Sequence, residues 1–446
     1  MKYRVLLTGS GGREHALAWK LAQSPRLEKL WIAPGNPGTA TVGENVPVAA
    51  TDFEGLKQLA LANQINLLVV GPEDPLVAGL VDWFAADPSL SHIPVIGPCR
   101  RGAQMEGSKD FAKQFMQRHR IPTARHTTVT PATLAAGDAF LDALPAPYVL
   151  KADGLAAGKG VLIIESRDDA KRQLRHMLQG LFGAASAKVV IEEFLPGAEV
   201  SFFILTDGQH YKILPEAKDY KRVGAGDTGL NTGGMGAVSP VPFVTPEFRQ
   251  KVERQIIRPT LRGLRQDGID YRGFLFAGLM NVAGNPFVIE YNVRMGDPET
   301  EAVMPRLASD LLDLLDGVAR RNLHEKPCAI VPDAAVTVVC VSGGYPEAFG
   351  RNYPIAPLPD RADCLLFHAG TAIDNGALVT RGGRVLAVTS LAPDVAEARE
   401  TTYAAAAAVR FRDVYYRTDV GLDLCPPPAD NLPDAGQPAT HCPPNA

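Results

Sequence analysis

A glutamate and an asparagine stand two residues apart in the stretch VIEYNVRMGDPETE, residues 288–301. The apolar start of this stretch predicts a strand, and strand alternation puts Glu290 and Asn292 on one face and Tyr291 on the other. Carboxylate and amide oxygens suit Mg²⁺, which bridges the phosphates of a nucleotide during phosphoryl transfer. Arg294 continues on the same face, where its planar guanidinium suits a phosphate or a carboxylate. The alternative is an edge strand that carries solvated polar residues.

Two lysines flank a glycine loop in KADGLAAGKG, residues 151–160. The pattern is not a P-loop, because its glycines are one residue too close, Gly160 replaces the magnesium-binding Ser/Thr, and the loop joins two strands. A glycine hairpin can still fold over a triphosphate, with backbone N–H groups near the oxygens and Lys151 and Lys159 neutralising charge. The alternative is a flexible surface hairpin without a ligand.

A second glycine turn, GSGGREHA at residues 9–16, joins a predicted strand to a predicted helix. It lacks the dinucleotide fingerprint, because Glu14 stands where the third glycine belongs and the next strand ends in PGN (34–36) without an acidic residue. A nicotinamide cofactor is therefore not expected. The turn still offers free N–H groups and the helix dipole to an anion, with Arg13 beside it. A tight turn without a ligand is the alternative.

The stretch EEFLPGAE, residues 192–199, has the composition of a hinge beside an adenine ring. It offers an apolar wall, backbone donors and acceptors, and Glu199 for ribose hydroxyls. Taken alone, the same residues also make an ordinary polar strand and turn, so this prediction depends on its neighbours.

Four glycines fall within the sixteen residues of DTGLNTGGMGAVSPVP, residues 227–242. Glycine lets another molecule approach the backbone closely, and it adopts φ values that other residues avoid. We therefore expect this segment to pass close to bound ligands, and a glycine-rich surface loop is the alternative.

The composition is that of an ordinary globular protein of 446 residues, with 45 basic and 49 acidic side chains and a net charge of −4. This balance gives no indication of a nucleic-acid or membrane surface. Six cysteines without zinc spacing fit a reducing compartment, and no apolar stretch has the length of a membrane span. The scattered histidines, including His15 and His368, are expected to be structural. We expect a cytoplasmic protein that acts as a monomer on small molecules.

The elements that position these residues change character along the chain. Apolar runs alternate with helical stretches up to about residue 105, which predicts a doubly wound parallel sheet. A hairpin-rich part and an α+β body follow, and then a small α/β or α+β domain. The stretch from Cys425 has seven prolines in 22 residues and is expected to be disordered. The expected domains are 1–105, 106–330 and 331–424, with a tail of 425–446.

The strand-joining hairpin, EEFL with a following GxE, and Glu-x-Asn on a later strand together resemble the ATP-grasp superfamily of carboxylate–amine ligases. Within it, KDYKRVGAGDTGLNTGGMGAVSPVP, GSGGREHALAWK, PGNPGT, VGPEDPLVAGLVD, GSKDFAK, YNVRMGDPET and FHAGT resemble the glycinamide ribonucleotide synthetase (phosphoribosylamine–glycine ligase) family of purine biosynthesis. The resemblance runs from residue 2 to about residue 423. It implies an α/β and α+β multidomain fold: an N-terminal phosphoribosylamine domain, an ATP-grasp domain with a mobile lid over about 125–195, and a small C-terminal domain.

The resemblance also implies a reaction, in which ATP, glycine and 5-phosphoribosylamine give glycinamide ribonucleotide, ADP and phosphate through glycyl phosphate. It implies ATP and Mg²⁺ (or Mn²⁺) as cofactors, with the metal on Glu290 and Asn292. The implied catalytic residues are Arg294, Asp297 (a partner for the glycine ammonium) and Lys151. The residues implied for ATP are Lys109, Lys151, Lys159, Glu192, Leu195 and Glu199. Those implied for the substrates are Gly11, Gly12, Arg13, Glu14, Asn36, Glu73, Asp219, Asp227, Thr228, Asn231 and Thr232.

Two departures and three competing functions qualify this resemblance. The strand GFLFAGLMNV carries no acidic residue before Glu-x-Asn, which argues against a second metal held wholly by protein, and Lys218 and Tyr220 flank Asp219 where some members have glutamine and histidine. A dehydrogenase is disfavoured by Glu14. A protein that only senses ATP would not need lysines and metal ligands together. Another ATP-grasp ligase or carboxylase of purine metabolism is the strongest competitor, and DTGLNTGGMG argues against it.

Overall fold

The computed structural model describes residues 1–155, 160–358 and 361–425. Lys159, which we expect near ATP phosphates, and residues 426–446 of the expected tail lie outside this described part. Among the described residues, no helix is long and apolar enough to cross a bilayer.

The N-terminal region is a parallel five-stranded sheet with the strand order β3-β2-β1-β4-β5. Side chains on alternate sides of β1 enter two different cores: Leu6 packs with α2 to α4, and Val5 and Leu7 pack with α1. The predicted doubly wound sheet is therefore confirmed, because helices cover both faces. The elements are β1 Tyr3–Gly9, α1 Gly12–Ala22, β2 Leu27–Pro34, β3 Glu44–Asn45, α2 Phe53–Ala62, β4 Leu67–Val70, α3 Glu73–Ala78, α4 Leu80–Ala86, β5 Val95–Ile96 and α5 Arg100–Gly107.

A lid follows, built on a four-stranded sheet with the order β6-β9-β7-β8. Its strands are short and apolar on one face, and they pack against α7 and α8 in a small core of their own. The hairpin β7–β8 is the strand–loop–strand unit predicted around KADGLAAGKG. The elements are α6 Lys109–Arg118, β6 His126–Val129, α7 Leu134–Ala143, β7 Tyr148–Ala152, β8 Val161–Ile164, α8 Arg167–Leu178 and β9 Val189–Glu193.

The body of the central region is an antiparallel sheet with the order β11-β10-β16-β17. The long helical stretch predicted around 246–267 consists of α9, a π-helical turn over Glu253–Ile257, and α10. The elements are β10 Ala198–Thr206, β11 Tyr211–Ile213, β12 Lys218–Asp219, β13 Arg222–Gly224, β14 Thr228–Asn231, β15 Gly236–Ser239, α9 Pro246–Val252, α10 Arg258–Gln266, β16 Gly273–Val282, β17 Asn285–Asn292, α11 Glu299–Arg306 and α12 Leu311–Arg320.

The C-terminal region completes a mixed sheet that begins in the middle of the chain. Strands β12 and β15 join it in the order β12-β15-β18-β22-β19, with β23 paired to β18. The pairing of Gly236–Ser239 with β18 carries the glycine-rich part of the chain onto this sheet. The remaining elements are β18 Ala334–Ser342, β19 Leu365–His368, β20 Thr371–Asp374, β21 Ala377–Thr380, β22 Arg384–Ala392, α13 Val395–Ala406 and β23 Val414–Tyr415.

Candidate active site

The predicted metal pair lies at the end of β17. Tyr291 points into the core and its hydroxyl lies 2.6 Å from that of Thr260, so the alternation puts Glu290 and Asn292 on the other face. Burial alone would raise the pKa of Glu290, but Lys221, Lys151 and Lys109 together lower it. The carboxylate therefore stays ionised, and a carboxylate with a neighbouring amide oxygen fits Mg²⁺.

Lysines from two elements meet over one glutamate beneath the lid. Glu192 forms ion pairs with Lys151, 3.0 Å from its Oε1, and with Lys113, 2.9 Å from its Oε2, and both lysine side chains are nearly inaccessible to solvent. Lys151 also lies 3.3 Å from the carbonyl oxygen of Ile289, next to the metal pair. Burial lowers the pKa of Lys113 to about 8. The Glu192 carboxylate, expected beside adenine, thus holds Lys151, the lysine expected at the ATP phosphates, in place.

The start of the β7–β8 loop is tied to the N-terminus of α6. Ser108 caps this helix, accepting from Phe111 N–H at 3.1 Å, and its hydroxyl donates to Asp153 at 2.9 Å. Lys109 reaches back to the carbonyl oxygen of Gly154 at 3.3 Å. Burial lowers the pKa of Lys109, an effect opposed by Glu290. Lys109 and Lys151 therefore approach the metal pair together.

The N-terminal glycine turn differs from the expectation in one respect. The Gly11 N–H, which we expected to be free for an anion, donates to the Glu14 carboxylate at 2.6 Å, and Arg13 donates to the same carboxylate at 2.6 Å. A Cβ on Gly9 or Gly71 would collide with the Glu14 side chain. The Glu14 side chain therefore fills the space beside Gly9, Gly11 and Gly71, and the Gly11 N–H is not free for an anion.

Arg294 joins the metal strand to the N-terminal domain. Its guanidinium donates to Glu73 at 3.0 Å and to Glu106 at 2.6 Å, and Arg13 lies 3.8 Å from Glu73. Burial would raise the pKa of Glu73, but Arg294 and Arg13 lower it to about 2. Burial raises the pKa of Glu106 to about 7. Two of the predicted residues, Arg294 and Glu73, are thus in direct contact across the domain boundary.

Asp297 and the glycine-rich turn are joined by an arginine of the C-terminal domain. Arg384 donates to the carbonyl oxygens of Gly233 at 2.6 Å and Asp297 at 2.8 Å, and its guanidinium lies 3.1 Å from the Asp297 carboxylate. Gly234 has φ +115°, and a Cβ there would stand less than 3.0 Å from Pro298 and 2.8 Å from Asp219. Close approach and positive φ together explain this glycine.

Buried carboxylates surround this turn. Among the described residues, Oδ1 of Asp219 and Oε2 of Glu301 have no hydrogen-bond partner. Burial raises the pKa of Asp219, Glu299 and Glu301, and the Glu299 carboxylate raises the pKa of Asp219 and Glu301 further. A carboxyl group with a raised pKa can donate a hydrogen bond while it is protonated and can bind a cation once it is ionised.

Three family models match the chain in order. The N domain of phosphoribosylglycinamide synthetase matches residues 3–106, its ATP-grasp (A) domain matches 107–300, and its C domain matches 335–423. The chain belongs to the phosphoribosylglycinamide synthetase family. It therefore has the three-domain architecture of that family, with the ATP-grasp domain in the centre.

Relatives and solved structures agree with this family. A phosphoribosylamine–glycine ligase of Chlorobaculum tepidum is 48% identical over 426 residues, which cover 94% of this chain and 99% of the relative. A crystal structure of phosphoribosylamine–glycine ligase from Thermotoga maritima has a TM-score of 0.81 and 37% identity, covering 93% of this chain and 99% of that one. The biotin carboxylase domain of a Hydrogenobacter thermophilus 2-oxoglutarate carboxylase, bound to MgADP, ADP and bicarbonate, covers 93% of this chain and 92% of its own, with a TM-score of 0.72 and 15% identity, which shows the shared fold alone.

The remaining expected residues come from the N-terminal domain, the boundary of the lid and the glycine-rich hairpin. Asn36 donates to Ser10 O at 2.9 Å and to His368 O at 2.8 Å, linking the N-terminal and C-terminal domains. Leu195 is half-buried at the lid boundary, and Glu199 pairs with Lys221. Thr232 donates to Lys221 O at 2.8 Å. Of the other expected substrate residues, Thr228 and Asn231 lie in the glycine-rich hairpin, Asp227 pairs with Arg417, and Gly12 begins α1.

Sequence reasoning missed four residues of this synthetase site. Lys113 follows Lys109 by one helical turn, which is the only signal of its place. Glu106 directly precedes the recognised GSKDF, Arg384 lies about 150 residues from Gly233, and Arg417 lies about 190 residues from Asp227. No local pattern identifies the two arginines, because their contacts depend on the shared sheet.

Proposed function

We propose that this chain ligates glycine to 5-phosphoribosylamine with ATP, giving glycinamide ribonucleotide, ADP and phosphate. The observation that carries the proposal is that Lys109 and Lys151 lower the pKa of the Glu290 carboxylate, which with Asn292 forms the predicted metal pair. Arg294 lowers the pKa of Glu290 as well. Relatives at 48% identity over nearly full length are named for this reaction. The place in purine biosynthesis follows from the same product.

ATP binding rests on the lid and the central sheet. Lys109 and Lys151 neutralise phosphate charge, and Glu192 keeps Lys151 aimed at the metal pair. Leu195 and the backbone around it suit the adenine side. Mg²⁺ on Glu290 and Asn292 would supply charge neutralisation between the phosphates when bound. We propose that Mn²⁺ can take the place of Mg²⁺ at these two residues.

The first chemical step requires glycine to approach the γ-phosphate with its carboxylate in front. A carboxylate oxygen forms the new O–P bond, the bond to the β-phosphate oxygen breaks, and ADP leaves. Glu73 and Glu106 orient the guanidinium of Arg294, which follows Asn292 by two residues along the chain. This planar guanidinium suits the reacting carboxylate or phosphate. Asp297, oriented by Arg384, suits the glycine ammonium.

The second step forms the amide. The amine nitrogen of phosphoribosylamine attacks the acyl carbon of glycyl phosphate, the C–O bond to phosphate breaks, and the nitrogen loses a proton. Enclosure by the lid and the glycine-rich segment excludes water, which would otherwise hydrolyse the acyl phosphate. Arg13, Asn36 and Glu73 are the residues of the N-terminal domain that we assign to the phosphoribosylamine side.

The competing function is another ATP-grasp ligase or a carboxylase, since the biotin carboxylase neighbour shares the fold. The experiment follows phosphate release from MgATP with phosphoribosylamine generated in situ, with and without glycine, and measures the product by mass. Glycine-dependent phosphate with equimolar glycinamide ribonucleotide supports the proposal. Phosphate release that depends on bicarbonate, or no phosphate release from folded protein, would reject the proposed ligase function.

A Glu290→Gln variant controls for contaminating ATPases, because it keeps the size of the side chain and removes the metal-binding charge.

The monomeric state, the cytoplasmic location and the absence of nucleic-acid and membrane partners stay predictions. The cysteines that the structure describes are unpaired, which is consistent with a reducing compartment. Sedimentation of the purified protein with and without MgATP measures the oligomeric state.

A further inference from the structure

Residues 222–234 form a hairpin that includes the start of the glycine-rich stretch 227–242. This hairpin, called the glycine-rich segment below, is only weakly stabilised by its own two strands. Strands β13 and β14 form a two-stranded sheet with an irregular register, and residues 225–230 at its tip are exposed. An isolated two-stranded hairpin is only marginally stable in water. Another part of the molecule must therefore fix its position.

Residues 415–419 of the C-terminal domain provide these contacts. Arg417 Nη1 lies 2.7 Å from the Asp227 carboxylate and donates to Arg222 O at 3.2 Å. Asp419 accepts from Gly226 N–H at 2.8 Å, and the Tyr415 hydroxyl donates to Val223 O at 2.9 Å. The contacts lie along β13 and at the tip of the hairpin.

Arg417 is itself held rigidly. Its side chain is only 2% exposed, Asp419 binds its Nε at 2.6 Å and its Nη2 at 2.9 Å, and the guanidinium lies 5.1 Å from the centre of the Tyr220 ring. A fixed planar guanidinium can serve several acceptors in one geometry, which a lysine cannot do. At the other end of the segment, Tyr345 accepts from Gly233 N–H at 3.0 Å, so the C-terminal domain contacts the segment at both ends.

We propose that Arg417 is a positioning residue, which sets the glycine-rich hairpin over the cleft, and that Asp227 is its anchor on the hairpin. This assigns Asp227 a different part from the substrate hydrogen bond that the resemblance implies. The kinetic consequence rests on the proposed ligase function. The structural consequence, a hairpin whose order depends on Arg417, does not.

Three variants and one control test the proposal. Arg417→Met removes the guanidinium, Arg417→Lys keeps the charge without the fork, and Asp227→Asn removes the anchor charge from a side chain that is 67% exposed, so this variant keeps the fold. Arg412→Met is the control, because Arg412 is 70% exposed and contacts only Asp413 and the Tyr353 ring among the described residues. Each variant is assayed for kcat, for KM of each substrate, and for amide hydrogen exchange over residues 222–231.

The expected kinetic result is a loss of turnover without a loss of nucleotide binding. Displacing a substrate-facing segment by about 1 Å costs about 100-fold in rate, so we expect Arg417→Met to lower kcat about 10- to 100-fold with KM for ATP nearly unchanged. Arg417→Lys and Asp227→Asn should lie between this variant and the unmutated protein. Unchanged turnover in folded Arg417→Met would overturn the positioning role.

Hydrogen exchange separates the anchor from a substrate contact. Exchange over residues 222–231 should be about tenfold faster in Arg417→Met and Asp227→Asn and unchanged in Arg412→Met. In the double variant Arg417→Met/Asp227→Asn, exchange should be no faster than in Arg417→Met alone, because Asp227 anchors the hairpin through Arg417, whereas Arg417 also contacts Arg222 O. Additive effects with unchanged exchange would assign Asp227 to the substrate and refute the anchor. If the unmutated protein lacks glycine-dependent activity, the proposed function fails, while the exchange results still decide this proposal.

Discussion

Replacing Gly234 should stop turnover while the protein stays folded. A Cβ at this position meets the Pro298 ring at less than 3.0 Å and the Asp219 carboxylate at 2.8 Å, whereas ordinary contacts begin near 3.4 Å. The turn must therefore move by several tenths of an ångström or more. Because Gly233 and Asp297 share the Arg384 guanidinium, this movement carries the residue that we assign to the glycine ammonium.

The size of the effect can be worked from two contributions. Positive φ costs a non-glycine residue about 1–3 kcal/mol, and overpacking costs about 1–3 kcal/mol more. The sum of about 2–6 kcal/mol is below a typical stability of about 5–15 kcal/mol, so Gly234→Ala should fold and Gly234→Val should be the less stable of the two. A displacement of about 1 Å should lower kcat about 100-fold.

The assay compares phosphate release and thermal unfolding in Gly234→Ala, Gly234→Val and Gly268→Ala. Gly268 has φ +69° with no atom within 4 Å of its Cβ position, so Gly268→Ala carries the backbone strain without the collision. We expect a lower melting temperature in all three variants and lost turnover only at Gly234. Near-normal kcat in folded Gly234→Val would refute the close-approach argument.

Three further predictions concern the predicted metal ligand Glu290, the buried histidine His15 and the buried lysine Lys113. Glu290→Gln should weaken Mn²⁺ binding, measured by electron paramagnetic resonance, about tenfold or more, because it removes the ligand charge. Burial and His368 lower the pKa of His15 to about 3, so the neutral ring stabilises the fold above pH 6.5 and this contribution is lost as the pH falls. In His15→Asn, the melting temperature should therefore depend less on pH between pH 6.5 and 5, where the lost contribution reaches about 2 kcal/mol. Lys113→Met should raise KM for ATP about tenfold, because Glu192 loses one of its two cations and draws Lys151 away.

Each of these predictions has an outcome that contradicts it. Unchanged Mn²⁺ affinity in Glu290→Gln would place the metal elsewhere. An equally steep loss of stability below pH 6.5 in His15→Asn would assign the acid sensitivity to other groups. For Lys113, the matched control is Lys57→Met, a surface ion pair with Asp87, which should leave KM for ATP unaltered.

Local patterns were sufficient where the chemistry lies within one element. The alternation of β17 predicts that Glu290 and Asn292 share a face opposite Tyr291, and the Thr260 contact confirms the inward position of that tyrosine. The apolar runs before residue 105 likewise predict the parallel sheet, because each run lies within a single strand. A single residue also distinguishes the first turn from a dinucleotide motif, because Glu14 stands at the position of the third glycine and binds the Gly11 N–H.

Contacts between distant parts of the chain could not be predicted in this way. Arg384 and Arg417 are ordinary surface-type residues in their own stretches, and their roles arise only when β15 pairs with β18. Glu106 gains its contact with Arg294 through the docking of α5 beside β17. Propensity and periodicity describe neighbours along the chain, whereas these interactions depend on which strand edges meet.

The pairing of Gly236–Ser239 with β18 has a consequence for the order in which the active site forms during synthesis. About 100 residues separate the two partners, and domains generally fold as they leave the ribosome, N-terminal parts first. The parallel sheet and the lid can fold early, but β15 has only the short strand β12 to pair with until β18 has been made. A nascent chain that ends before β18 therefore lacks the strand that fixes the glycine-rich part of the chain, so the candidate site is complete only after the C-terminal domain has been made.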